Sequence, residues 1–267
     1  MSKGLLDPKV DFVFKNIFGS PNHPEILISF LNATLKAKKK IVNVDIKKTD
    51  IEKQYIEDKY SRLDVKATTS NDEIINIEIQ LKNENNMVKR SLYYLSKMYE
   101  EQLNEKEDYS KLVRTVCINI LNFKYLKTDN FHTGYRFKEI ESNEELTDIM
   151  EVHFIEIPKL QDSSDEKDML VAWTEFLKDP ESEKVRGLEL SIEEIRQAKD
   201  ELIRMSNDST QRELYDMRAN SLRDKMSELN AAERKGIEKG REEGREEGRK
   251  EEKIKIARNM KLSGLDT

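Results

Sequence analysis

Glu73-Ile74-Ile75-Asn76-Ile77-Glu78-Ile79-Gln80-Leu81 is the stretch whose reading decides the fold. Ile75, Ile77, Ile79 and Leu81 recur at every second position, with Asn76, Glu78, Gln80 and Lys82 on the alternate positions. That is the period of a β-strand with one apolar and one polar face. Just upstream, Thr69-Ser70-Asn71-Asp72 has turn chemistry,. Before the turn, Leu63, Val65 and Ala67 share one face, and Arg62, Asp64 and Lys66 the other. A hairpin centred on Asn71 then sets Asp64 directly opposite Glu78, with Cβ atoms about 4.5–5.5 Å apart. Two like charges at that separation destabilise a sheet unless a cation lies between them. A hard divalent ion suits carboxylate oxygens, and Mg²⁺ needs only one or two of them from the protein. Gln80 shares the face and can orient a water. Lys82 extends the face and can offer positive charge to a transition state.

The periodicity changes on either side of this hairpin. Asp7-Pro8 is a helix-start signal followed by Phe12, Val13, Phe14, Ile17 and Phe18, with Gly19 as the stop,. A second helical run puts Ile26, Leu27, Phe30, Leu31 and Leu35 on one stripe and ends in the cations Lys36 and Lys38–Lys40,. Ile41–Ile46 reads as a strand. After the hairpin, Asn86 to about Asn104 predicts a helix with Val88, Leu92, Leu95, Met98, Tyr99 and Leu103 along one side,. Leu112–Leu121 is too apolar for a surface strand and predicts a central one. Further strands are expected at Tyr135–Ile140 and Met150–Ile157. The order to Leu121 is α, α, β, β, β, α, β, a mixed sheet covered by helices.

Beyond Pro158 strand signals vanish. Helices are expected at Glu166–Lys178, Ile192–Met205 and Arg212–Leu229. Glycine then occupies every fourth position from Gly236 to Gly248. A four-residue step advances about 400° around a helix, giving a slowly drifting stripe open to close backbone approach. A helix with a seam for a partner, a solvated linker and a disordered tail are all compatible with it. A cost of about 1 kcal/mol per glycine relative to alanine favours the linker.

Composition narrows the classes. Lys and Arg number 22 against 18 Asp and Glu over residues 1–128, and 25 against 35 over 129–267, so charges of +4 and −10 make up the net −6. The N-terminal half is therefore free to meet a phosphate backbone. Charged residues form 37% of the chain, which implies long solvated helices rather than one compact ball,. The single cysteine, Cys117, lies in an apolar run and reads as a buried thiol, so disulfides are excluded,. His23, His132 and His153 lack any short metal-ligand spacing and read as structural,. There is neither a membrane span nor a signal-peptide core, and a cytoplasmic location is expected.

Several of these segments together resemble a known family. Asp11-Phe12-Val13-Phe14-Lys15-Asn16-Ile17-Phe18-Gly19, Leu63-Asp64-Val65, Ile77-Glu78-Ile79-Gln80, and Arg90 with Tyr93-Tyr94 are similar to the PD-(D/E)xK nuclease superfamily, and in wording to its recombination-promoting nuclease (Rpn) and transposase branch. The match spans roughly residues 5–160. The resemblance implies a restriction-endonuclease-like αβββαβ core and a metal-dependent DNA endonuclease associated with recombination or transposition. It implies Mg²⁺, with Mn²⁺ or Ca²⁺ as substitutes, held by Asp64 and Glu78. Asp11 matches the family's additional acidic position, and Gln80 stands where most of the superfamily has lysine.

That departure leaves the charge-supplying role to Lys82 or Lys15, or implies slow turnover. Other assignments stay open. Lys15 either pairs with Asp11 or serves catalysis; Arg90 either holds a DNA phosphate or caps the carboxylates; Lys38, Lys39 and Lys40 form either a backbone-binding patch or a solvated face. A nuclease domain over 1–160, a helical region over 161–234 and a Gly-rich charged tail over 235–267 are expected. A homodimer is expected too, since cutting both strands of a duplex favours two sites. The competing readings are a catalytically weak relative that binds DNA or a protein, and RNA as substrate, because nothing in the sequence reads a 2′-hydroxyl.

Overall fold

In the computed structural model, which describes residues 4–36, 39–47, 65–165 and 167–262, the alternation at Glu73–Leu81 forms strand β3 (Ile74–Gln80). It pairs antiparallel with β2 (Val65–Thr69), Val65 facing Ile77 and Ala67 facing Ile75. This is the register expected of a turn centred on Asn71. The turn closes through Thr69 N–H donating to the Glu73 carbonyl, with Asp72 at φ 60°, the left-handed conformation that Asp tolerates better than most residues,. The strand β1 (Val44–Lys47) pairs antiparallel with β2.

Beyond β3 the sheet becomes parallel. β4 (Thr115–Leu121) is buried along its whole length and lies between β3 and β6 (Glu145–Glu156), both parallel to it; β5 (His132–Lys138) closes the edge antiparallel to β6. The six-stranded order is β1-β2-β3-β4-β6-β5. The parallel pairing of β3 and β4 requires a crossover, supplied by helix α3 (Met87–Glu100),.

The helices α1 (Asp11–Phe18), α2 (Pro24–Leu35) and α4 (Met169–Lys178) share one aromatic core. Phe18 lies 4.5 Å from Phe14, 5.5 Å from Phe30 and 5.3 Å from Trp173 between ring centroids. α1 ends where it meets the sheet. A Cβ on Gly19 would fall 2.6 Å from the Lys15 carbonyl oxygen and 3.4 Å from Val65, so only glycine fits that approach,. Asp7-Pro8 forms a turn before α1 instead of its first helical turn, with Asp7 Oδ1 accepting from Lys9 N–H,.

α3 covers the opposite face, but with a different stripe from the one its apolar residues suggest. Met87, Ser91, Tyr94, Leu95 and Met98 are buried, while Val88 and Leu92 are exposed. The sheet beneath presents Asn76, Glu78 and Asn119, all buried, and the helix turns the side that carries Arg90 and Ser91 toward them. Met87 and Leu95 also join Cys117, Leu121, Val152 and Phe154 in an apolar cluster, so polar and apolar contacts together set the rotation of this helix,.

Past the sheet, α4, α5 (Glu183–Glu189) and α6 (Glu193–Asn207) pack against one another, and α1 and α2 also receive α6. α5 has no counterpart in the sequence reading, being too short to show a period. Residues 1–218 form one compact unit, so the segment from 161 to about 207 belongs with the sheet's helices; residues 219–267 form a second. The last helix, α7 (Ser209–Leu262), runs unbroken through the glycine repeat, where the propensity argument favours a linker. Lys239–Glu243, an i,i+4 pair at 3.7 Å, is of the kind that offsets part of the glycine cost,. No described helix is long and apolar enough to cross a membrane.

Candidate functional site

Glu78 is fully buried at the α3 face of β3. Its Oε1 accepts from Arg90 Nε at 2.9 Å, from Arg90 Nη2, and from Gln80 Nε2 at 3.1 Å. Its Oε2 is buried and has no hydrogen-bond partner among the described residues. A desolvated carboxylate with one oxygen held by three donors and the other bare is out of balance. The bare oxygen is what a hard cation would require of a carboxylate ligand, so the residue fits that role. Among the described residues no three His, Cys, Asp or Glu side chains cluster to hold an ion. Asp64, the second expected ligand, lies outside the described residues, as does Lys38.

Arg90 comes from the first turns of α3. Burial works against its charge, but the Glu78 carboxylate outweighs that and raises its pKa above the ordinary arginine range,. Its guanidinium carbon sits 5.2 Å from the centre of the Tyr94 ring, which backs the fork,. Beside Glu78 in the parallel register is Asn119, whose side chain accepts from Ser91 and donates to the His153 carbonyl. Cys117 shares this face between Asn76 and Asn119, its thiol pushed up to about 12 by burial and the Glu78 charge, and is inert as a nucleophile,.

The remaining expected site residues are spread out. Asp11 accepts from Arg218 Nη1 at 3.0 Å, and no contact among the described residues ties it to Glu78 or to Lys15. Lys15 is on α1, which meets the sheet at Val65, on the face away from Glu78. Lys82 follows the end of β3 in a bend, where strand alternation no longer fixes its side. Lys39 and Lys40 are exposed near the Asn71 turn, to which the Lys39 carbonyl is bonded. Four residues of strand, about 13 Å, separate that end of β3 from Glu78.

A second buried cluster escaped the sequence reading. Strand pairing brings His132 Nε2 to 2.9 Å from His153 Nδ1, and His153 Nε2 to 2.8 Å from Glu151. The rings stack with centroids 5.2 Å apart, and a Cβ on Gly134 would come within 3.1 Å of the His153 ring. Histidines 21 residues apart in sequence show no motif spacing. The available signal was Glu151 and His153 on one face of one strand. Glu151 also accepts from Arg136 Nε at 3.1 Å and from Arg114, which bridges to Glu73. Burial alone would raise the Glu151 pKa, yet His153 and Arg114 hold it down to about 2.

His132 is pushed down to about 4, by burial first and by His153 second. In the unfolded chain it titrates near 6.5. Between these values the unfolded state binds more protons, so stability should fall as pH drops from about 6.5 to about 4, by roughly 2–3 kcal/mol. Urea unfolding across that range should show the slope for the native chain and little of it for His132→Gln. A flat native profile would refute the assignment.

Among known proteins, a family model described as PD-(D/E)XK nuclease family transposase matches residues 8–232. No curated protein and no solved structure matches the chain. The mixed sheet, its helix order and this match agree on a restriction-endonuclease-like fold. The chain belongs to the PD-(D/E)XK nuclease family transposases.

Proposed function

We propose that the chain is a divalent-metal-dependent DNA endonuclease that hydrolyses phosphodiester bonds in recombination or transposition, with Asp64 and Glu78 as the ligands of a Mg²⁺ ion. The observation that carries this reading is the divided environment of Glu78, one oxygen fixed by Arg90 and Gln80 and the other buried without a partner. When bound, the ion polarises the phosphodiester and activates water. Arg90 and Gln80 fix the rotation of the Glu78 carboxylate, and α3 shields it from bulk water. In this reading Asp11 is an additional acidic group acting through water, and Lys82 adds positive charge beside β3. Lys15 and Lys38–Lys40 contact the DNA backbone. Two copies of the chain would cut the two strands.

Gln80 at the family's lysine position favours a second reading, a weakly catalytic relative that acts by binding DNA or a protein. Supercoiled plasmid incubated with the native chain and Mg²⁺ or Mn²⁺ should be nicked and linearised, and chelator or Asp64→Ala should abolish the cut. Parallel single-stranded DNA and RNA substrates define the substrate class. Equal cutting by Asp64→Ala would sink the endonuclease reading, and binding without any cutting would establish the second.

A further inference from the structure

We propose that Arg90 is the cation of this site, taking over from α3 the role left open at Gln80: one edge of its guanidinium holds Glu78 while the other holds an oxygen of the reacting phosphate. The proposal rests on the endonuclease reading and assigns the charge-supplying residue within it.

Three observations carry it. Arg90 and Gln80 converge on the same atom, Glu78 Oε1, so the guanidinium occupies the space beside the residue that lacks a charge. Arg90 uses only its Nε and Nη2 edge for this contact. Nη1, with two further N–H donors, makes no hydrogen bond to any described residue. The side chain is also 20% exposed, whereas that of Glu78 is 1% exposed, so of the two partners the arginine is the one with access to solvent and to an incoming strand. Arginine has the planar fork needed to serve a carboxylate and a phosphate oxygen from two edges; the point charge of lysine does not.

The other candidates are placed less well. Lys15 belongs to the helix that meets the opposite face of the sheet, and Lys82 lies in a bend beyond the end of β3, two residues past Gln80. Charge balance agrees. Two carboxylates, one guanidinium and a divalent ion leave a single positive charge in excess, which one phosphodiester monoanion neutralises. Without Arg90 the same set would be neutral before the phosphate arrived.

The test uses the full chain with Arg90→Gln and Arg90→Lys, read three ways: Mn²⁺ binding by calorimetry without DNA, single-turnover plasmid cleavage, and thermal melting. Arg90→Gln should cleave about a hundredfold more slowly or worse. It should also bind Mn²⁺ at least about threefold more tightly, because the guanidinium no longer repels the ion. Arg90→Lys should recover part of the cleavage rate. Opposite movement of the two readouts is what a merely structural arginine would not produce. Cleavage by Arg90→Gln close to the native rate, or a joint loss of Mn²⁺ affinity and cleavage, would overturn the proposal and leave the endonuclease reading intact. A native chain that neither binds Mn²⁺ nor cuts DNA, or a Glu78→Ala chain that cuts as the native does, would overturn both.

Discussion

Glu78→Ala is expected to lower plasmid cleavage by about three orders of magnitude or more while the chain stays folded. If Glu78 holds the ion as proposed, losing it removes charge stabilisation of several kcal/mol from the transition state, and each 1.36 kcal/mol is about tenfold in rate. The folding side is smaller. The substitution removes a buried carboxylate with one unpartnered oxygen, which offsets part of the lost ion pair, and Arg90 keeps a path to water. Its cost to stability should stay within about 2 kcal/mol. Single-turnover cleavage and urea unfolding on the same preparation check the two halves. A variant that cleaves at the native rate refutes the metal-ligand role, and one that is unfolded moves Glu78 to the structural core.

Arg114→Ala should have the larger effect on folding. Arg114 reaches Glu73 and Glu151, whose side chains are 8% and 4% exposed, from the start of β4. Removing it leaves Glu73 charged with a hydroxyl of Thr69 as its remaining side-chain partner, while Glu151 keeps Arg136 and His153. Breaking a buried pair in this way costs about 3–5 kcal/mol. Urea unfolding at neutral pH measures it, and adding Glu73→Gln to Arg114→Ala should recover part of the loss by discharging the stranded carboxyl. A loss below about 1 kcal/mol in the single variant would show that the pair is hydrated and weak.

The hairpin was legible because two independent signals agree: the alternation in Ile75–Leu81 sets the faces, and the Asn71 turn sets the register. Glu78 and Gln80 on one face follow from parity alone. Arg90 beside them follows only from docking α3 on the sheet, which sequence spacing does not specify. The stripe on α3 was misjudged for a physical reason. Counting apolar residues assumes a wholly apolar floor, and here Asn76, Glu78 and Asn119 share it with Cys117, Leu121, Val152 and Phe154. The His132–His153–Glu151 cluster was invisible because a strand pairing, not a motif, brings it together. In the glycine repeat, per-residue propensity favoured a linker, and the cooperative extension of a long charged helix outweighed it,.

The position of β4 has a consequence for synthesis. Its partner on one side, β3, is complete early, with Ile74 matched to Thr115. Its partner on the other, β6, begins that match at Met150, after another 35 residues have been added. Throughout that interval the apolar segment Val116–Leu121 is an uncapped parallel edge on the emerging chain, open to pairing with a neighbouring copy. The strand beside Glu78 is therefore also open to aggregation while the protein is being made.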